Sequence, residues 1–392
     1  MRVLYIEPVG GHRGMHYYDF ALCGALWELG VEPILATCDE TECYAASLPY
    51  QIFYPFRGIY GEKNLLIRGF NYLRALWQIL QEAPVRRVRI AHLHYFHLPL
   101  ADYAFVSLLK RRGLKIVITA HDVVPFTAGF LSKWIVGWIY RVADKVVVHA
   151  HSNREAISST FGVPKEKAEV IPMGPYFDLH LNTSLDREAA RGQLGIPAHK
   201  EVILFFGQIK RVKGLDHLIR AFQIVGSKRP DSLLLIVGPI WKDDFSRYED
   251  LTDELGLKDR VISRPEYVSD EELTLYFSAA DLVVLPYTKA YQSAVLFMAY
   301  TFSRPVVVSA VGGLAEVVKD GETGYLVPPA DEARLAEAIE KILVDKGRAE
   351  EMGNAAGEMV KANYSWQKIA AETKKVYEAL LAQKGFEEAG GG

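Results

Sequence analysis

The chain has 392 residues, half of them hydrophobic and 24% charged, with a formal net charge of −3. That length exceeds one ordinary hydrophobic core, so two domains are expected, and the composition fits a soluble globular protein. No uninterrupted apolar run reaches the roughly 18–20 residues of a membrane span. Three cysteines, Cys23, Cys38 and Cys43, show no paired spacing. They point to reduced thiols in a cytosolic compartment, and MRVLYIEPVGG reads as a strand entering a turn, not as a signal peptide. Charge is unevenly spread: residues 57–115 hold 11 Lys/Arg against 3 Asp/Glu. Such a region suits anionic lipid, a diphosphate or nucleic acid. The absence of interleaved aromatics and of any helix-turn-helix or zinc motif argues against nucleic acid.

The first elements are strand, glycine-rich loop and helix: RVLYIE, then PVGGHRG, then MHYYDFALCGALWELG ending at Gly30. Gly10, Gly11 and Gly14 let the backbone approach a ligand and set a helix N-terminus beside it. The spacing is not G-x-G-x-x-G and no acid follows at a ribose-binding position, so phosphate or sugar fits better than a nicotinamide. A plain tight turn is the alternative. PILAT is a second strand. Residues 64–82 set apolar side chains at helical spacing with Arg68 and Arg74 on the other side, a pattern shared by core-facing helices and helices lying on a membrane. RIAHLHYFHLPLADYAFVSLLKRRG is strand, loop, helix. KIVITAHDVVPF is the next strand, with His121 and Asp122 just past its end, where parallel sheets collect catalytic residues. His94 and His97 close the neighbouring strand, and the three histidines lack a metal spacing such as H-E-x-x-H. The helix over 129–145 carries Phe130, Trp134, Trp138 and Tyr140 with Lys133, Arg141 and Lys145, as interfacial helices do and as ordinary sheet-covering helices do. Strand, helix and strand follow to about 178. The linker starts near Gly174-Pro175, and LNTSLDREAARGQLGIP reads as polar and connecting.

The alternation restarts with EVILFFGQIKRVKGLDHLIRAF. Between two glycines this loop carries Gln208, Lys210, Arg211 and Lys213 just ahead of a helix, an arrangement of backbone donors and mobile cations suited to a diphosphate. It is not a P-loop, since no G-K-[ST] follows, and a solvated basic turn is the alternative. LLLIVGP, a helix near 246–255, RVIS and a helix near 270–279 lead to DLVVLPYTKAYQSAVLFMAYTFSRPVVVSAVGGLAEVV (281–318). This is one βαβ step closed by a double glycine. Ser293 is the expected N-cap of a helix running to about Phe302. Leu296 stands where a capping box would have glutamate, so the first N–H groups are open to a phosphate or satisfied by water and Ser293. YLVPP, helices over 331–345 and 348–362, and a last helix from about Ser365 to Gln383 complete the chain; the tail 385–392 should be disordered. Two successive βα domains with a cleft between them result.

FFGQIKRVKGLDHLIRAF, EYVSDEELTLYFSAADLVVLPY and SRPVVVSAVGGLAEVVKDGETGYLVPPAD, in that order, resemble retaining GT-B glycosyltransferases, in particular glycosyltransferase family 4 and its "glycosyl transferases group 1" domain. VEPILATCDE, TAHD and VIPMGPYFD look like that family's N-terminal half. The resemblance covers nearly the whole chain. It implies an α/β GT-B architecture of two Rossmann-like domains facing a deep cleft. Residues 1–178 would bind the acceptor and 179–364 a UDP- or GDP-linked sugar, with the helix about 365–384 crossing back onto the first domain. It implies no metal or cofactor, and the sequence has no Asp-x-Asp motif. The family's diphosphate loop usually reads G-R-x-x-x-x-K-G; here Gln208 replaces the arginine, Lys213 matches the lysine, and Lys210 or Arg211 is a candidate replacement cation. Two glutamates eight positions apart, usual in the family, are Ala290 and Met298 here, and neither side chain accepts a hydrogen bond from a sugar hydroxyl. A subgroup reading Gln-Ser-Gly also tends to lack these acids. Gln292 and Ser293 match it, and Ala294 departs by one methyl.

On this resemblance the catalytic residues are His121, near the anomeric centre, and Lys213, on the leaving diphosphate together with the helix start Ser293–Val295. Gly10 and Gly11 would face donor or acceptor. Tyr267 and Val268 lie in the stretch expected to read the base, Gln292 would meet sugar hydroxyls, and Glu316 is kept after the double glycine. His12, Arg13, His94 and His97 are the acceptor-side candidates. The implied reaction is metal-independent, retaining hexosyl transfer to a glycan or lipid-linked acceptor in cell-surface polysaccharide or glycolipid assembly. It would take place in the cytoplasm, at the inner face of a membrane touched through 64–82 and 129–145. The missing glutamates also fit a non-catalytic protein that binds a sugar nucleotide or a partner glycosyltransferase. Lys213, His121 and the glycine loop argue against that alternative.

Overall fold

The structure, a computed structural model, describes residues 1–10, 15–39, 48–61, 64–94, 96–123, 130–175 and 185–382. Gly11, His12, Arg13, Gly14, Cys43 and the tail 385–392 lie outside the described residues. The chain divides into two compact units, Met1–Gly174 joined by the segment from Trp366, and Pro175–Ser365.

The first unit alternates β1 (Arg2–Ile6), α1 (Met15–Glu28), β2 (Glu32–Ala36), β3 (Gln51–Phe53), α2 (Leu65–Val85), β4 (Ile90–Leu93), α3 (Pro99–Arg111), β5 (Lys115–Thr119), α4 (Phe130–Val142), β6 (Lys145–Val148), α5 (His151–Phe161) and β7 (Ala168–Val170). Its strands pair in parallel in the order β3-β2-β1-β4-β5-β6-β7. The runs VLYI, IAHL and VVV are buried on both faces because helices cover both sides of a parallel sheet. The order reverses between β1 and β4, and the crevice beyond that reversal is where such sheets hold ligands.

The second unit begins with α6 (Arg187–Gln193), then β8 (Glu201–Phe206), α7 (Leu215–Lys228), β9 (Ser232–Val237), α8 (Ser246–Glu254), β10 (Val261–Arg264), α9 (Asp270–Ala279), β11 (Leu282–Leu285), α10 (Ala294–Thr301), β12 (Val306–Ser309), α11 (Leu314–Val317), β13 (Gly324–Val327), α12 (Glu332–Val344) and α13 (Lys346–Asn363). The sheet is parallel in the order β10-β9-β8-β11-β12-β13, reversing between β8 and β11. Helix α14 (Trp366–Ala382) belongs to the first unit, where the Lys374 ammonium donates to the Leu29 carbonyl at 2.8 Å.

Two segments differ from the sequence reading. The stretch read as a polar connection contains α6, capped by Asp186, whose carboxylate accepts from the Ala189 N–H at 3.1 Å. Arg191 on this helix is buried and donates to the Ala279 carbonyl at 3.0 Å and to Asp281 at 2.7 Å. A charge that looks solvated in sequence is a tertiary anchor. The three-residue strand β3 was not anticipated; it is too short for its alternation to register.

Candidate active site

In the second unit, three loops converge on the start of α10. The loop after β8 runs from Gly207 to Gly214. Gly214 has φ +65°, and a Cβ there would stand 2.0 Å from the Pro286 carbonyl oxygen in the loop after β11. Gly312, φ +49°, approaches the Ala290 carbonyl equally closely, and the Gly313 N–H donates to Tyr291 O at 3.1 Å. Only glycine permits these backbone contacts.

Lys213 projects its ammonium 3.7 Å above the ring of Tyr287. The Tyr287 hydroxyl lies 3.1 Å from Ser293 Oγ. Ser293 holds the N-cap position of α10 as expected, but its hydroxyl makes no capping bond to the helix. Tyr287 engages it instead, so no side chain closes over the first N–H groups of α10. Beside them, Gln292 turns its carbonyl onto the Ser293 N–H at 3.0 Å, while its Nε2 is buried with no hydrogen-bond partner among the described residues. Cation, aromatic bridge, open helix N-terminus and orphaned amide donor therefore form one continuous group. A buried amide donor without an acceptor is costly, and an anionic or hydroxyl ligand would supply one.

The other predicted residues of this unit surround the group unevenly. Gln208, Lys210 and Ala294 are half-buried, and Val268 and Val295 are buried. Tyr267 and Glu316 are exposed. Arg211 is largely exposed, 4.0 Å from the buried carboxylate of Asp243. Of the positions where the family usually carries acids, Met298 is buried in α10 and Ala290 offers its carbonyl to the approach of Gly312.

In the first unit, histidines just past three adjacent strands form a chain. His149 Nδ1 lies 2.9 Å from the Ile171 carbonyl, His149 Nε2 lies 3.0 Å from His121 Nδ1, and His121 Nε2 lies 2.9 Å from His94 Nδ1. The carbonyl fixes every tautomer in turn. It only accepts, so His149 Nδ1 carries the proton and Nε2 accepts from His121. His121 Nε2 then accepts from His94, whose Nε2 is left as a bare, buried lone pair without a partner among the described residues. Burial and mutual repulsion hold His94 and His121 well below the ordinary imidazole range, and burial takes His149 to about 4 and His92 to about 3. The rings are neutral at working pH. Tyr18 stands edge-on to His94, His121 and His149, and His92 bonds Tyr377 of α14 at 2.6 Å and Thr119 at 2.7 Å. Among the described residues no His, Cys, Asp or Glu group is arranged to hold a metal ion.

The glycine turn after β1 is organised differently from its sequence reading. Glu7, fully buried, accepts the N–H of Val9 at 2.8 Å and of Gly10 at 2.5 Å. The backbone donors of Gly10 and Val9 thus face inward to a carboxylate of this chain. Burial raises Glu7 to about 7, and burial together with the charge of Glu7 raises the neighbouring Asp19. His97 lies apart from His94 and His121: it is exposed, and its Nε2 is 2.5 Å from the Tyr60 hydroxyl. His149, Tyr287, Glu7 and Asp19 escaped the sequence reading. His149 carried the same signal as His121, a histidine just past a strand of a parallel sheet.

The family model described as "Glycosyl transferases group 1" matches residues 186–359, and "Glycosyltransferase Family 4" matches residues 13–175. An uncharacterised glycosyltransferase of Methanocaldococcus jannaschii is 32% identical over 245 residues, spanning 62% of this chain and 61% of that one. A D-inositol 3-phosphate glycosyltransferase of Pseudarthrobacter chlorophenolicus is 27% identical over an alignment of 397 positions, 95% of this chain and 91% of its own. Among solved structures, Anabaena HepE in complex with UDP-glucose superposes with a TM-score of 0.76 at 18% identity, covering 97% of this chain and 100% of that one, which is a likeness of fold.

Proposed function

The chain belongs to the group 1 glycosyl transferases of GT-B fold, and on that premise we propose that it transfers a hexosyl unit from a UDP- or GDP-linked sugar to a glycan or lipid-linked acceptor, without a metal and with retention of configuration. The observation that carries this reading is the group at the start of α10: Lys213 over Tyr287, Tyr287 on Ser293, uncapped amides, and the orphaned Gln292 donor. In the reaction the bond from anomeric carbon to β-phosphate oxygen breaks, the bond to the acceptor oxygen forms as the acceptor hydroxyl gives its proton to the departing phosphate, and the nucleoside diphosphate leaves. Negative charge grows on the departing phosphate. Fixed donors aimed at it accelerate the step because they need no reorganisation as the charge develops. Lys213 and the amides of Ala294 and Val295 supply them, with Lys210 and Arg211 as auxiliary cations and Gln208 where the family has arginine.

Gln292 Nε2 donates to a sugar or phosphate oxygen, taking part of the role that acids at positions 290 and 298 have elsewhere in the family. Tyr267 and Val268 face the base, and Glu316 the sugar. The UDP-glucose bound by Anabaena HepE supports the uridine choice of base. His121 contacts the transferred sugar, its ring held by His149 and His94. Acceptor contacts come from His94 and His97, with Gly11, His12 and Arg13 as further candidates. The product enters cell-surface polysaccharide or glycolipid assembly at the cytoplasmic side of a membrane.

Incubation with UDP- and GDP-hexoses and lipid-linked or glycan acceptors, read by NMR, tests this. The new linkage should keep the donor's anomeric configuration; inversion contradicts the mechanism. Binding without turnover is the second reading, favoured by Ala290 and Met298. It requires donor binding with no product from any acceptor and no slow donor hydrolysis.

A further inference from the structure

Helix α2 has two apolar faces. Tyr72, Ala75, Leu76, Ile79, Leu80 and Ala83 are buried in the first unit. The adjoining side presents Leu66, Phe70, Leu73 and Trp77, each at least half exposed. At 100° per residue these four fall within roughly 60° of arc, one continuous stripe along the helix. Leu65 and Ile67, also at least half exposed, flank its start. Single exposed apolar residues are ordinary, but a stripe of this length is not.

Trp77 also walls a shallow cavity of about 380 Å³, together with Tyr54, Arg57, Arg74 and Gln78. Two guanidinium groups therefore border the apolar stripe. Arg57 lies 3.4 Å from the carboxylate of Asp39, which offsets part of its charge. Arg74 forms no ion pair among the described residues. The surrounding acids add little opposition: Glu82 is paired with Arg86, and Asp102 is buried. An aromatic–aliphatic stripe edged by arginines, with a tryptophan at the boundary, is the composition of a helix lying in a bilayer interface. A protein partner would meet the stripe equally well but would leave Arg74 without a counter-charge; a phospholipid phosphate supplies one.

We propose that α2 docks on an anionic phospholipid surface, with the Leu66–Phe70–Leu73–Trp77 stripe at the acyl boundary and a lipid phosphate between Arg57 and Arg74. This deepens the lipid-linked reading of the acceptor and rests on it, but binding is measurable apart from turnover. No helix of the described residues is long and apolar enough to cross a membrane, so the contact is one of surface.

The test is co-sedimentation of the full chain with vesicles of phosphatidylglycerol and phosphatidylcholine, against vesicles of phosphatidylcholine alone. The wild type should sediment with the anionic vesicles and lose most binding at high salt. A Phe70→Ser/Trp77→Ser variant should lose at least about tenfold in partitioning, because two large apolar side chains no longer enter the interface. Arg57→Gln/Arg74→Gln should lower binding to anionic vesicles to the phosphatidylcholine level. Free inorganic phosphate added at constant ionic strength should leave vesicle binding unchanged; displacement by it would assign the cavity to a soluble anion and overturn the lipid assignment. All four side chains lie on the surface, so the variants should keep the wild-type melting temperature and donor hydrolysis. Wild type remaining in the supernatant with anionic vesicles overturns the proposal. So does a stripe variant that turns a dimer into a monomer in light scattering while vesicle binding persists. Vesicle binding without sugar transfer to any acceptor sinks the proposed reaction and leaves docking standing; transfer to a soluble acceptor without vesicle binding does the reverse.

Discussion

Lys213 is the side chain whose removal tests the proposed donor site apart from the rest of the fold. Its ammonium sits 3.7 Å over the Tyr287 ring, and Tyr287 reaches Ser293 at the start of α10. Loss of the cation–π contact costs about 0.5–1 kcal/mol for a half-exposed lysine, a shift of only a few degrees in Tm. Loss of a fixed donor on the leaving phosphate costs far more, about 2.7–4 kcal/mol of barrier, or roughly 10²–10³ in kcat. Lys213→Ala should therefore stay folded and lose roughly that factor. Lys213→Met, which keeps the aliphatic stem over the ring, should lose nearly as much, isolating charge from packing. Steady-state turnover at saturating donor and calorimetric titration with the nucleoside diphosphate read the two effects separately. Wild-type kcat and Kd in both variants would refute a diphosphate site at this loop.

Four further outcomes follow from the same geometry. His149→Leu leaves the His121 Nδ1–H without an acceptor, at about 1–3 kcal/mol, so kcat should fall roughly 10–100-fold with little change in donor KM; an unchanged kcat separates the histidine chain from catalysis. The histidines have lowered folded pKa values, so the stability they contribute is present above about pH 6.5 and lost as pH falls toward about 4, the value of His149. Glu7 titrates with the opposite sign in the same window, so the reading is the difference: as pH falls the wild-type melting temperature should fall relative to that of His149→Gln. Glu7 is the opposite case: raised to about 7, it contributes stability present below about pH 4.5 and lost as pH rises through 7, on the order of 3 kcal/mol. Glu7→Gln should flatten that decline between about pH 4.5 and 7, and an unaltered slope would count against the buried acid. Gly214→Ala drives a Cβ to 2.0 Å from the Pro286 carbonyl at a left-handed φ. Because the carbonyl belongs to the backbone and the Cβ is fixed directly to it, neither can swing aside, and the change should cost at least about 2 kcal/mol in chemical denaturation and displace Lys213.

The βα alternation was legible because parallel strands buried on both faces read as short β-branched runs between amphipathic segments. The loops carrying Lys213, Ser293, His94 and His121 were legible as loops past the ends of parallel strands, whereas the strand orders that reverse between β1 and β4 and between β8 and β11 were not. What sequence did not show was partnership. Tyr287 follows a buried strand and reads as core until Lys213 is seen above its ring. Gly10 reads as a free donor until Glu7, three residues earlier, is found accepting its N–H. His149 joins His121 only through pairing of β5 with β6 in register. Arg191 reads as solvated until Asp281 is found ninety positions away. On α2 the periodic pattern marked an apolar face, but the helix has two, and counting spacing does not say which one the rest of the unit covers.

Nucleotide-sugar binding at the start of α10 is tested most directly by a thermal-shift panel of UDP-, GDP-, ADP- and dTDP-sugars on the wild type and on Lys213→Ala. One donor should raise the wild-type Tm, since a ligand at a hundredfold its Kd stabilises by about 2.7 kcal/mol, and the shift should shrink sharply in the variant. No shift from any donor, or an equal shift in both proteins, would contradict the site.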